Sequence, residues 1–151
     1  MFNEINDTIK NKLINLTDDS GNTIFEEVYD YEATQFSGGP VATLSFSDNE
    51  NDYATTESNE RVYALDVRVY VSRDEPRTDE EAERIMRTIL DDVIDKFDSD
   101  YLLNSLSEPT GKTLINTLAV PSRWGYSPRE SQYRVGEVSV RCRVRVDINS
   151  I

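Results

Sequence analysis

The chain has 151 residues, one cysteine and no histidine, and its 29 acidic against 16 basic side chains give a formal charge of −13. That length fits a single domain over 1–151, able to bury roughly 68–70% of its unfolded surface. The composition excludes an intrachain disulfide, a cysteine zinc site and any chemistry that turns on histidine, and no run approaches the roughly 20 apolar residues of a membrane span.

Met1 to Asn15 carries acids and lacks an apolar core segment, so no signal peptide is expected. The charge is uneven: residues 1–60 hold 13 acids and 2 bases, residues 61–151 hold 16 acids and 14 bases. Such an acidic surface repels nucleic acid at long range. It serves solubility, or it fits a surface that faces DNA without binding it or that meets a basic protein. A hydrophobic fraction of 37%, with the periodicity described next, excludes a disordered chain.

Phe2, Ile5, Ile9, Leu13 and Leu16 recur at spacings of three and four, which predicts a helix over 2–16. Asp18 to Asn22 stops it with turn chemistry. Ile24 to Tyr31 reads as a strand, Gly38-Gly39-Pro40 as a break, and Val41 to Ser47 as a second strand. Asp48 to Glu60 reads as an acidic loop. Arg61 to Arg73 alternates cleanly, with Tyr63, Leu65, Val67, Val69 and Val71 on one face and Val62, Ala64, Asp66, Arg68 and Tyr70 on the other.

Glu75-Pro76-Arg77 ends that strand. Thr78 to Glu81 is a capping-box signature, with Thr78 as N-cap and Glu81 at its third helical position. The helix that follows, Asp79 to Phe97, presents Ala82, Ile85, Met86, Ile89, Leu90, Val93, Ile94 and Phe97 over about half its circumference, as expected of a helix packed on a sheet. Tyr101 to Leu106 fits a short helical turn. Thr113 to Val120 reads as a strand, Pro121 to Pro128 as a turn region, and Tyr133 to Ile148 as a long closing strand. Extended, that last strand would span about 53 Å, against a diameter of roughly 40 Å for a globule of this size. It is therefore expected to bend or protrude, with Gly136 as the break or bulge. The order predicts an α+β fold: an antiparallel sheet of about four to five strands, covered on one face by the N-terminal helix and the long central helix.

Chemistry-bearing patterns are sparse. Gly111-Lys112-Thr113 ends like a phosphate loop, but Leu106 stands where the first glycine belongs and a strand, not a helix, follows, so an ordinary turn is expected. Asp48 to Asp52 alternates oxygen ligands as calcium loops do, yet Tyr53 replaces the turn glycine and Asn59 the final glutamate. Asp91, Asp92, Asp95, Asp98 and Asp100 cluster at the end of the long helix, as exposed helix acids or as a carboxylate cluster of a metal-dependent hydrolase. Cys142 falls on an apolar strand face, as a small buried hydrophobe would. No catalytic residue, cofactor site or metal site is assigned.

Arg141, Arg143 and Arg145 line one face of the last strand. They fit an exposed face paired with acids across the sheet, Asp66 among them, or an interface with an acidic surface of another subunit. A DNA groove comes third, since the overall charge opposes it. Trp124, within Arg123-Trp124-Gly125-Tyr126, fits an interface anchor or a core plug beside a turn.

Taken together, the layout resembles the tail-terminator proteins of long-tailed bacteriophages, also described as tail-completion or head-tail joining proteins. The resemblance lies in size and order: the helix at Phe2 to Leu16, the strand Arg61 to Val71 leading into the helix Glu80 to Phe97, and the closing strand Glu137 to Val146. It implies a virion structural protein of the tail or neck, assembled in the host cytoplasm and without catalysis. It implies a homohexameric ring that caps the tail-tube protein and docks to a head-side connector or stopper protein, with no membrane partner. DNA would pass through the lumen without specific binding. On this reading Arg141, Arg143, Arg145 and Trp124 belong to the subunit interface, and Asp48, Glu50, Asp52 and Glu57 to a lumen or inter-ring loop. The alternatives are another neck or head-completion protein, or an acidic DNA mimic that inhibits a nucleic-acid enzyme.

Overall fold

A computed structural model describes residues 1–33, 36, 38–53, 58–73, 78–126 and 133–149, with the backbone alone at 48–53 and 123–126. The described elements are α1 (Phe2–Ile14), β1 (Glu27–Tyr29), β2 (Val41–Tyr53), β3 (Ser58–Ser72), α2 (Asp79–Ser99), β4 (Lys112–Tyr126) and β5 (Tyr133–Asp147). The strands form one mixed sheet in the order β1-β2-β3-β5-β4. Both helices pack on the same face, giving the expected α+β arrangement in two layers.

The core lies between those layers. Ile5, Ile9 and Leu13 of α1 and Ala82, Met86, Ile89, Leu90, Val93 and Phe97 of α2 are buried against Leu65, Val67 and Val69 of β3 and Val138, Val140 and Val144 of β5. The start of α2 is set by its cap: Thr78 Oγ1 accepts the Glu81 amide at 3.2 Å. Arg73 adds a two-point clamp, donating to both Asp79 carboxylate oxygens at 3.0 and 3.1 Å, and this guanidinium holds the Asp79 carboxyl below its ordinary range. At the other end a tight turn carries Leu103, fully buried at φ +47°, a left-handed conformation that its packing must over-determine.

Several sequence expectations are corrected. The sheet is not wholly antiparallel, because β1 pairs in parallel with the start of β2, Glu27 opposite Val41. Between these two strands Glu32 and Phe36 lie on the sheet face opposite α1 and α2, where they meet Arg68 and Tyr70. Gly39 sits close to β1, because a Cβ there would lie 2.9 Å from Glu26 Cβ. The predicted strand 24–31 shrinks to three residues, since the Ile24 amide instead bonds back to Leu16 at 2.9 Å.

The acidic segment 48–60 is not a loop over most of its length. β2 runs through Tyr53 and pairs Glu50 with Val62 and Asp52 with Glu60. Backbone ladder bonds do not depend on side-chain polarity, and β3 at this end is already paired to β5 on its other side. The same holds for 121–126, expected as a turn but continuing β4 alongside Gly136 and Arg134.

Gly136 is neither break nor bulge. It pairs with Val69 and Trp124, and a Cβ there would sit 2.8 Å from both Leu90 Cδ1 and Met86 Sδ; its role is to let α2 approach the sheet. The bulges fall in β2 and β4. Nor does β5 protrude alone, because β3 and β4 accompany it over almost its entire length.

Candidate protein-interaction face

The sheet face turned away from the helices has two parts. At one end Glu32 and Phe36 cover it. Phe36 stacks within 4.5 Å of Tyr70 and 5.5 Å of Tyr133, ring centre to ring centre. Beneath these rings Arg68 donates to Glu137 at 2.8 Å and to Glu32 at 3.0 Å. Ser122 donates to the second Glu137 oxygen at 2.9 Å, so both oxygens of this buried carboxylate are engaged. The hydrogen bond to Glu137 raises the Arg68 pKa further, against the opposing effect of burial.

At the other end the face is open. Arg141, Arg143 and Arg145 are exposed on β5, while Cys142 and Val144 between them and Val146 after them are buried. Register places Arg141 between Ala64 and Leu118, Arg143 between Val62 and Asn116, and Arg145 between Glu60 and Thr113. Leu118 and Val120 also point outward, 54% and 40% exposed. Among the described residues none of the three arginines makes an ion pair, even though Glu60 stands opposite Arg145. Asp66, the expected cross-strand partner, stands opposite Ser139, one ladder step from Arg141.

Lys10, Lys12, Arg68, Arg73, Arg84, Arg87 and Arg134 pair with acids of the chain itself. Arg61, Lys96 and Lys112 also make no ion pair among the described residues but are half-buried, whereas Arg141, Arg143 and Arg145 are exposed and form one row on a single strand face. Three exposed guanidiniums beside exposed aliphatic side chains combine a polar and an apolar means of recognition, as protein interfaces do.

The other predicted site residues divide. Trp124 lies opposite Gly136, five positions along β5 from Arg141, so the structure does not bring it to the ladder; its side chain is outside the described residues. Glu50 and Asp52 occupy the same sheet rows as Arg143 and Arg145, two strands away. Asp48 lies in β2 at the register shift between Phe46 and Asn49, and Glu57 is outside the described residues. The calcium-like spacing of 48–52 falls on paired strand backbone rather than on a coordinating loop. Gly111 takes φ +78° in a turn that leads straight into β4, as the strand reading of Gly-Lys-Thr requires.

Leu118 and Val120 were not singled out from sequence. Their signal was an apolar side chain at every position from 118 to 120, and the bulge between Leu114 and Asn116 that turns these two outward leaves no mark in the sequence. Cys142 is fully buried, and burial pushes its thiol up to about 11 against a weak contact with Thr117, which makes it inert as a nucleophile. Among the described residues no group of three acidic, histidine or cysteine side chains is placed to hold a metal ion, and no helix is long and apolar enough to cross a membrane. No protein-family model matches the chain, and no curated protein does.

Proposed function

We propose that the chain is a structural assembly protein of a phage-like tail: a tail terminator that forms a homohexameric ring. The ring caps the tail tube and joins it to the head-side connector or stopper protein. The protein then resides in the tail or neck of the virion, has no catalytic role, and lets DNA pass through its lumen.

The observation that carries this reading is the open half of the outer sheet face. Arg141, Arg143 and Arg145 stand there without an ion pair among the described residues, beside Leu118 and Val120, on a chain whose formal charge is −13. An island of unpaired cations on an acidic protein favours a protein partner over DNA, because the surrounding field repels a polyanion. The element order along the chain, an N-terminal helix, strands, one long helix and a closing strand pair, supports the resemblance drawn from sequence.

The test is mass in solution by light scattering, followed by negative-stain imaging with tail-tube protein. A hexamer, or rings seated on tube ends, is the expected outcome. A monomer indifferent to tube ends overturns the reading and moves an acidic DNA mimic to the front.

A further inference from the structure

The arginine ladder has a charge counterpart on the opposite side of the molecule. Asp91, Asp95 and Asp98 are exposed on the C-terminal half of α2. At 100° per residue they fall within an arc of about 60°, so they form one stripe facing away from the sheet. This is the costly end of a helix for acids, because the helix dipole is already negative there. The N-terminal half of the same helix differs: its Arg84 and Arg87 pair with Glu80 and Glu83 at 3.6 Å each. Asp92, beside the stripe, has its carboxyl pushed above the ordinary range by burial and then by Asp19, Asp95, Asp91 and Asp18. Acids are thus crowded at this end of α2.

We infer that the arginine ladder of one copy docks on the acidic stripe of α2 in a second copy of this chain, head to tail. The two patches sit on opposite layers of one molecule, so they meet only between copies. Their dimensions agree: about 13 Å from Arg141 to Arg145 along the strand, and about 10 Å from Asp91 to Asp98 along the helix. Joining sheet edges is the competing way to build a ring, and both long free edges, β4 and the part of β2 beyond the three residues that β1 covers, carry features that oppose it. β4 has two register shifts and Pro121, and β2 has a register shift after Phe46; bulges and proline blunt strand addition. A face-to-face contact of unlike patches is heterologous, and it closes into a ring when the rotation between copies allows. This assignment rests on the ring reading above and names the surfaces that build it.

Two full-length variants test it, R141E/R143E/R145E and D91K/D95K/D98K, each checked for a native circular dichroism spectrum. Each alone is expected to lose assembly, because like charges then face each other. An equimolar mixture is expected to restore rings, since each variant supplies the complement of the other. A milder variant, D91N/D95N/D98N, is expected to weaken self-association at least tenfold and to flatten its salt dependence. It carries the test if the lysine variant does not fold. Rings in the wild type with none in the mixture, assembly by either reversed variant alone, or unchanged association of the asparagine variant would each overturn the pairing and leave the ring reading standing. A wild type that assembles neither alone nor on tube ends would overturn both.

Discussion

Along β5, residues 133–140 are buried on both faces of the sheet, Val135 being half-buried, whereas 141–147 alternate strictly between exposed and buried. The same strand, packed on the same helix layer, thus has two different outer surroundings. Over the first half the chain closes its own second face with Phe36, Tyr70 and Tyr133 and the Arg68–Glu137 pair. Over the second half no described residue neutralises the arginines. The difference separates residues that the fold engages on both faces from residues that it leaves exposed on one.

That separation is open to attack from the largest effect downward. Leu65, fully buried beneath the helices, belongs wholly to the fold: Leu65→Ala should cost about 3 kcal/mol and lower the melting temperature by about 6–12 °C in a calorimetric scan. Glu137 marks the closed half of the outer face. Glu137→Ala leaves the partly buried Arg68 with only the exposed Glu32 as an acidic partner and should cost about 2 kcal/mol, less than breaking a fully buried pair because Arg68 also retains some contact with water. Chemical denaturation would show this as a lower midpoint with an unchanged slope.

Lys12 and Asp100 supply a paired cation in the helix layer to set against the unpaired ones outside. Burial works to raise the Asp100 carboxyl, yet hydrogen bonds from Lys12 and the Asn104 amide together hold it below its ordinary value. A lowered acid stabilises the fold above its unfolded pKa and loses that contribution as pH falls through the folded one. Lys12→Met should therefore cost about 1–2 kcal/mol at neutral pH. The gap from wild type should shrink in melts taken at progressively lower pH, below the ordinary aspartate range. The smallest expected effect on stability is the most informative. R141E/R143E/R145E should change the stability of the monomer by no more than about 0.5 kcal/mol per site while abolishing assembly; a large loss of stability would mean that the open half belongs to the fold after all.

The sequence made the elements with clean periodicity legible. The α2 stripe, the Thr78 cap, the alternation of β3 and that of the second half of β5 are all visible because each side chain's burial follows from its own position. What escaped depends on neighbours. The acidic run 48–53 is strand because β3 offers it a ladder, and 121–126 is strand because β5 does. The parallel pairing of β1 with β2 depends on which strand lies beside it, and no periodic signature marks that. The arginine ladder was legible as a row of charges. Its lack of partners was not, because cross-strand register decides whether Asp66 or Ala64 stands beside Arg141.

Strand order has a kinetic consequence. β2–β3 and β4–β5 are each antiparallel pairs of strands adjacent in sequence, one preceding α2 and the other following it, and the two join only through the β3–β5 ladder. The pairs can form by local closure. The ladder between them must bring Ser72 to Tyr133 and Ser58 to Asp147, contacts that carry the highest loop-closure entropy in the sheet. Formation of this central seam therefore governs how fast the whole molecule folds. The seam includes Arg141, Arg143 and Arg145, so the exposed arginine row acquires its neighbours on both sides only once the two strand pairs have joined.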